Sequence, residues 1–152
     1  MKTRKFREED AKEVCDLIKR NDREVTSKDY PKKVIEMWIK EMDSAHILKK
    51  SKGRICYVAL VGSEVVGYIS FKKNEIMKLF VNPDLHGQGI GKKLIEKIEN
   101  YSTRSGLRKL TVRSNIGSER FYEKCGFKRI KSVYEISGPN KIKEIYMEKK
   151  LK

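Results

Sequence analysis

Residues 54–81 hold three consecutive segments, "RICYVALV", "EVVGYISF" and "EIMKLFV", separated only by Gly62-Ser63 and by Lys72-Lys73-Asn74. Each is rich in β-branched and aromatic residues, which fit a pleated, half-buried surface. Gaps this short join antiparallel neighbours, because a parallel pair needs a crossover of a dozen or more residues. The middle of the chain is therefore an antiparallel meander, and the rest must cover its faces or extend it.

The flanks supply both. Residues 2–6 read as a short first strand. "REEDAKEVCDLIKR" follows as a helix, with Glu8, Glu9 and Asp10 suited to its N-terminus and Ala11, Val14, Cys15 and Ile18 on one stripe. A second helix is expected from Pro31, with Asp29 as its cap and Val34, Ile35, Trp38, Ile39 and Met42 on its apolar face. "KKSKG" reads as a loop. Beyond the meander, Ile90, Leu94, Ile95, Ile98 and Tyr101 recur at helical spacing, and "LRKLTVRS" reads as a fifth strand. Ser114 or Asn115 is the expected cap of a further helix that stops at Gly126. "FKRIKSVYEI" and "KIKEIYMEKKL", split by Gly138-Pro139, form a closing hairpin. The order is β-αα-βββ-α-β-α-ββ, an α/β layered domain with a mixed sheet, and residues 1–152 are expected to form one domain.

Composition limits the function classes. Hydrophobic and charged residues each make up 38% of the 152 residues, a soluble globular balance. No apolar run approaches the roughly 20 residues needed to span a bilayer, and "MKTRKFREED" lacks a signal peptide's apolar core, so a cytoplasmic location without membrane contact is expected. Cys15, Cys56 and Cys125 are widely spaced, as are His46 and His86, which argues against a disulfide framework, a zinc site or any bound metal. The net charge of +15 suits a polyanionic partner. Its lysines are spread along the chain, however, and no RNA-binding aromatic motif or zinc-finger spacing accompanies them.

The stretch "LFVNPDLHGQGIGKKLIEKIE", residues 79–99, places Gly87, Gly89 and Gly91 just where a helix begins. A helix start carries backbone N–H groups without intrahelical partners and a partial positive charge, and glycines bare that backbone to a ligand. Lys92 and Lys93 in the first turn oppose the dipole by about 0.3–1 kcal/mol each, a cost that a bound anion reverses. The pattern suits a phosphate. It is not a P-loop: the first glycine would fall on His86, and Lys93 stands where serine or threonine is needed. A dinucleotide fingerprint fails too, for it needs glycine at Lys92 or at Leu94. Glycine spacing alone is also compatible with a plain strand-to-helix turn.

Two motifs settle the choice by resemblance. His86-Gly87-Gln88-Gly89-Ile90-Gly91 resembles the Q/R-x-x-G-x-G/A signature of the GNAT superfamily of acyl-CoA-dependent N-acetyltransferases, with His86 replacing the usual glutamine or arginine. "SNIGSERFYEKCGF", residues 114–127, is similar to that family's asparagine-then-FYEKxGF segment. The element order resembles the family's over nearly the whole chain. The resemblance implies acetyl-CoA as cosubstrate, its pyrophosphate held by the backbone from Gly87 to Lys92. It implies main-chain contacts from Leu79, Phe80 and Val81 to the thioester and pantetheine arm, and a contact from Asn115 to the coenzyme or an ordered water.

By the same resemblance, Tyr122 is the acid that meets the departing sulfur; without the motif, it reads as a packing residue beside Phe121 and Cys125. Glu75 falls where the histone-acetylating branch carries its base, and equally reads as a solvated hairpin acid. Thr111 stands where the protein-N-terminal branch carries glutamate before a V-R pair. The expected activity is direct attack of an amine on acetyl-CoA in a ternary complex, by a monomer or homodimer. The acceptor, a small molecule or a protein, is lined by the first two helices and the closing hairpin. A basic nucleic-acid-binding module and a non-catalytic acyl-CoA sensor of the same shape are the rival readings.

Overall fold

A computed structural model describes residues 1–152. Its strands are β1 (Lys2–Lys5), β2 (Ile55–Val61), β3 (Glu64–Lys72), β4 (Glu75–Val81), β5 (Lys109–Asn115), β6 (Lys128–Ser137) and β7 (Asn140–Lys150). Its helices are α1 (Ala11–Glu24), α2 (Lys32–Glu41), α3 (Ser44–Ser51), α4 (Ile90–Arg104) and α5 (Glu119–Lys124). One seven-stranded sheet runs β1-β2-β3-β4-β5-β7-β6, antiparallel everywhere except between β4 and β5. The meander and the closing hairpin are thus the two arms of a mixed sheet, joined at one parallel seam.

Apolar stripes decide which helix covers which face. Ile90, Leu94, Ile95 and Ile98 of α4 bury themselves with Tyr122 of α5 against Ile69, Phe71, Ile76, Val112 and Met147. On the opposite face, Val14, Cys15 and Ile18 of α1 and Ile47 of α3 pack on Cys56, Val58, Leu60 and Tyr68. Val34 and Ile35 of α2 cover Ile142 of β7. Tyr30 locks the α1–α2 connection to the far arm, its hydroxyl donating to the Lys143 carbonyl at 2.6 Å and accepting the Ile116 amide at 3.1 Å.

Three local expectations change. Pro31, not Asp29, occupies the N-cap of α2; Asp29 ends a preceding 3-10 turn and its carboxylate lies beside Gly117 instead. Neither Ser114 nor Asn115 caps α5: a 3-10 turn at Ile116–Ser118 intervenes, and the Ser114 hydroxyl donates instead to the Asn115 carbonyl at 2.7 Å. The expected "KKSKG" loop begins inside a helix, since Lys49–Ser51 form the last turn of α3. That helix is capped by Asp43, whose carboxylate accepts the His46 amide at 2.7 Å.

Candidate active site

The parallel seam is short. Only Glu75↔Thr111 and Ile76↔Val112 pair, after which β4 and β5 part and leave an opening in the sheet. A bulge bends β4 there: Phe71 pairs with Ile76 and Ser70 with Lys78, so Met77 has no partner. Beyond the bulge the backbone alternates. The Asn82 amide donates to Val66 on β3, which turns the amides of Leu79 and Val81 the other way, toward the opening. Phe80, by contrast, pairs with Tyr68 and sends its side chain to the α1–α3 face.

The end of β4 is clamped. The Asn21 amide group of α1 donates to the Val81 carbonyl at 2.9 Å, and His86 Nε2 donates to the same oxygen at 3.0 Å. Arg20 reaches Asn82 at 3.0 Å and Asp84 at 2.7 Å. These bonds fix the chain entering the glycine segment. Gly87 and Gly89 then adopt φ of +82° and +83°, and Gly89 is the N-cap of α4. From Gly87 through Lys92, no backbone N–H finds an acceptor within the protein; the first helical bond runs from Lys93 to Gly89 at 3.0 Å. His86, Gln88, Lys92 and Lys93 are exposed around this row of donors, and Ile90 turns into the core. Gly91 serves a different purpose. A Cβ there would sit 2.8 Å from the Phe121 ring, so the glycine lets α4 approach α5.

A cavity of about 390 Å³ occupies the α1–α3 face and passes into the opening. Tyr122, Leu79 and Val112 reach it from the opposite face. The Tyr122 ring packs edge-on against Phe121 and Phe127 at centroid distances of 5.2 and 5.5 Å. Its hydroxyl has no hydrogen-bond partner in the protein, and burial pushes its pKa up. Packing and an available phenol therefore coexist in one side chain.

Glu75 lines the cavity, as does Asn115, whose side chain makes no capping bond. Sequence reasoning missed Glu144 of β7. One of its carboxylate oxygens is buried without any partner. Burial raises its pKa to about 7, with Glu135 and Glu75 adding repulsion against the attraction of Arg113 and Lys78. Only its register signals it: Glu144 pairs with Asn115, two residues from Arg113 on the same face. Asp22 of α1, also on the wall, is raised by burial to about 6 while Lys78 opposes the change. Cys15 and Cys56 are buried and Cys125 is half-buried, all with pKa raised chiefly by burial, a poor setting for a nucleophilic thiolate. No three His, Cys, Asp or Glu side chains are arranged to hold a metal, and no helix is long and apolar enough to cross a membrane.

The acetyltransferase (GNAT) domain family matches residues 26–151. The chain belongs to that family. This GNAT protein is 26% identical over 128 residues to an uncharacterised N-acetyltransferase of Escherichia coli K12, YafP, spanning 84% of this chain and 81% of that one. Its fold superposes on a GCN5-related N-acetyltransferase of Rhodopseudomonas palustris with a TM-score of 0.92, at 24% identity, covering 99% and 95% of the two chains. It superposes on the PaiA N-acetyltransferase of Thermoplasma acidophilum, solved with coenzyme A, with a TM-score of 0.79, at 21% identity and 98% coverage of each. The expected fold class and element order are the observed ones, with α3 as an added short helix. The GNAT chain is an acyltransferase enzyme.

Proposed function

We propose that this enzyme moves the acetyl group of acetyl-CoA to a primary amine by direct attack within a ternary complex. The observation that carries the reading is the cavity itself, which joins carboxylates on one face of the sheet to an unpartnered phenol on the other through the β4–β5 opening.

The amides from Gly87 to Lys92, with Lys92 and Lys93 beside them, hold the pyrophosphate. Leu79 and Val81 offer amides along the opening to the pantetheine arm, and one of them polarises the thioester carbonyl. Acetyl-CoA supplies an acyl carbon already activated as a thioester. An amine of pKa near 10 arrives as ammonium and must lose a proton before it attacks. Glu144 takes that proton, since a carboxylate raised to about 7 is matched to the task at neutral pH. Glu75 holds the ammonium beside it and, by like-charge repulsion, keeps Glu144 basic. Tyr122 donates a hydrogen bond to the sulfur as the carbon–sulfur bond breaks. Its raised pKa makes early proton transfer uphill, so the proton follows late.

The test is calorimetric titration of acetyl-CoA into the parent and into Gly89→Asp, which sets a carboxylate against the proposed phosphate. A loss of roughly tenfold or more in affinity is expected, in line with about 1.4 kcal/mol per decade. Equal binding by a folded variant would place the coenzyme elsewhere.

A further inference from the structure

Charges on the cavity wall gather around two side chains. Glu135 of β6, Glu75 of β4 and Arg113 of β5 act on Glu144 of β7, with Lys78 as the further cation in reach. Asp22 of α1, Lys50 of α3 and Arg54, which precedes β2, act on Lys78 of β4, with Glu135 as the further carboxylate in reach. Glu41 at the end of α2 and His46 of α3 also line the cavity. None of Lys50, Arg54 and Lys78 makes an ion pair, and none donates a side-chain hydrogen bond. Cations thus predominate around Lys78, where Lys50 and Arg54 join it, and carboxylates predominate around Glu144, where Glu135 and Glu75 join it. Trp38, Met42 and Phe80 line the same cavity with apolar surface, and the Lys78 ammonium lies 5.9 Å from the Phe80 ring centroid.

The coenzyme does not account for these cations. No residue from His86 to Lys92 lines the cavity, and the cations sit on the α1–α3 face, away from that row of amides. Half-buried Lys78 is also in an unusual state: burial lowers its pKa, with Asp22 and Glu135 opposing and Arg54 and Lys50 adding to the effect. An anion placed among the three cations would relieve that repulsion and supply the missing partners. A volume of about 390 Å³ is that of a small-molecule site.

We infer that the acceptor is a small zwitterion, a primary amine joined by a short apolar chain to a carboxylate or phosphate. Its ammonium meets Glu144 and Glu75, and its anion meets Lys78, Lys50 and Arg54. This rests on the acetyl-transfer reading above and adds the substrate class. It also explains why opposite charges line one cavity without pairing with each other: each set faces one end of the ligand.

The experiment measures thiol release from acetyl-CoA by the full chain with matched acceptors: 4-aminobutanoate, 3-aminopropylphosphonate, butylamine and 1,4-diaminobutane. At least one anion-bearing amine should show a kcat/KM tenfold or more above both butylamine and the diamine. Which of the two leads tells carboxylate from phosphate chemistry. Lys78→Met keeps the length and apolar packing of the stem, and should cut kcat/KM for that acceptor about tenfold more than for butylamine. Arg54→Gln, which removes another of the three cations, should reduce the same preference if Lys78→Met does not fold. Butylamine or the diamine serving as well as the anion-bearing amines would overturn the inference and leave acetyl transfer standing. So would a lysine peptide that outperforms them all. No thiol release from any amine would overturn both.

Discussion

Replacing Glu144 with glutamine should make the enzyme slower and more stable at once. In the fold its carboxyl has a pKa of about 7 against an ordinary value of 4.5. At 1.36 kcal/mol per pH unit that gap amounts to about 3.4 kcal/mol between its ionised and protonated forms. Solvent reaches the partly exposed side chain, which reduces the cost of ionisation to about 1–2 kcal/mol. The native state holds this proton more tightly than the unfolded chain does. Its stabilising contribution is therefore complete below about pH 4.5 and is lost as pH rises through about 7. At pH 8 the parent carries an ionised, partly desolvated carboxylate, and the glutamine variant does not. Glu144→Gln should melt roughly 2–8 °C higher than the parent at pH 8 and at nearly the same temperature at pH 4. Asp22, raised to about 6, contributes with the same sign in both proteins and so cancels in the comparison. Turnover should fall by roughly 10²–10⁴, and the rise in rate centred near pH 7 should disappear. A pH–rate profile that keeps this limb would refute the assignment of the base. A melting difference independent of pH would refute the burial argument behind it.

Glu75→Gln should act through Glu144: with one repelling charge removed, the limb near pH 7 moves to lower pH while turnover falls less than in Glu144→Gln. An unmoved limb returns Glu75 to a bystander's place on the wall. Gly91→Ala should lower stability by about 1–3 kcal/mol, because its Cβ meets the Phe121 ring, yet leave acetyl-CoA affinity in the surviving folded protein little changed. Denaturant melts and calorimetry read the two effects apart.

Most of the fold was legible because periodicity carried it. Ile90, Leu94, Ile95 and Ile98 announce α4, and the three strand runs with two short turns allow no arrangement but a meander. What escaped was decided by geometry between distant segments. α3 went unread because its lysine-rich end resembles a loop, although Asp43 ahead of His46 was a usable cap signal. Asp29 and Asn115 have good capping chemistry at positions where the chain had not yet entered the helix. The glycine motif showed where bare amides lie, yet spacing could not separate Gly91, which relieves a helix contact, from Gly87 and Gly89, which turn the backbone. Glu144 had no motif. Its neighbours Glu75, Glu135 and Arg113 come from other strands, and only the sheet register assembles them. Asn21 and Arg20 likewise looked like helix-surface residues until they met Val81, Asn82 and Asp84 across the fold.

The claim on which the rest depends is that the acetyl group is delivered through the β4–β5 opening, with Tyr122 at the leaving sulfur. Tyr122→Phe keeps the ring and its packing against Phe121 and Phe127, and removes only the hydroxyl that faces the cavity. The most direct measurement is thiol release by parent and variant at saturating acetyl-CoA with an acceptor from the amine panel, alongside calorimetric affinity for the coenzyme. The account requires turnover to fall by roughly 10²–10³, as for loss of one positioned donor at a developing charge, with coenzyme affinity and melting temperature nearly unchanged. Equal turnover in the two proteins would contradict it, leaving Tyr122 a packing residue and the opening without its acid.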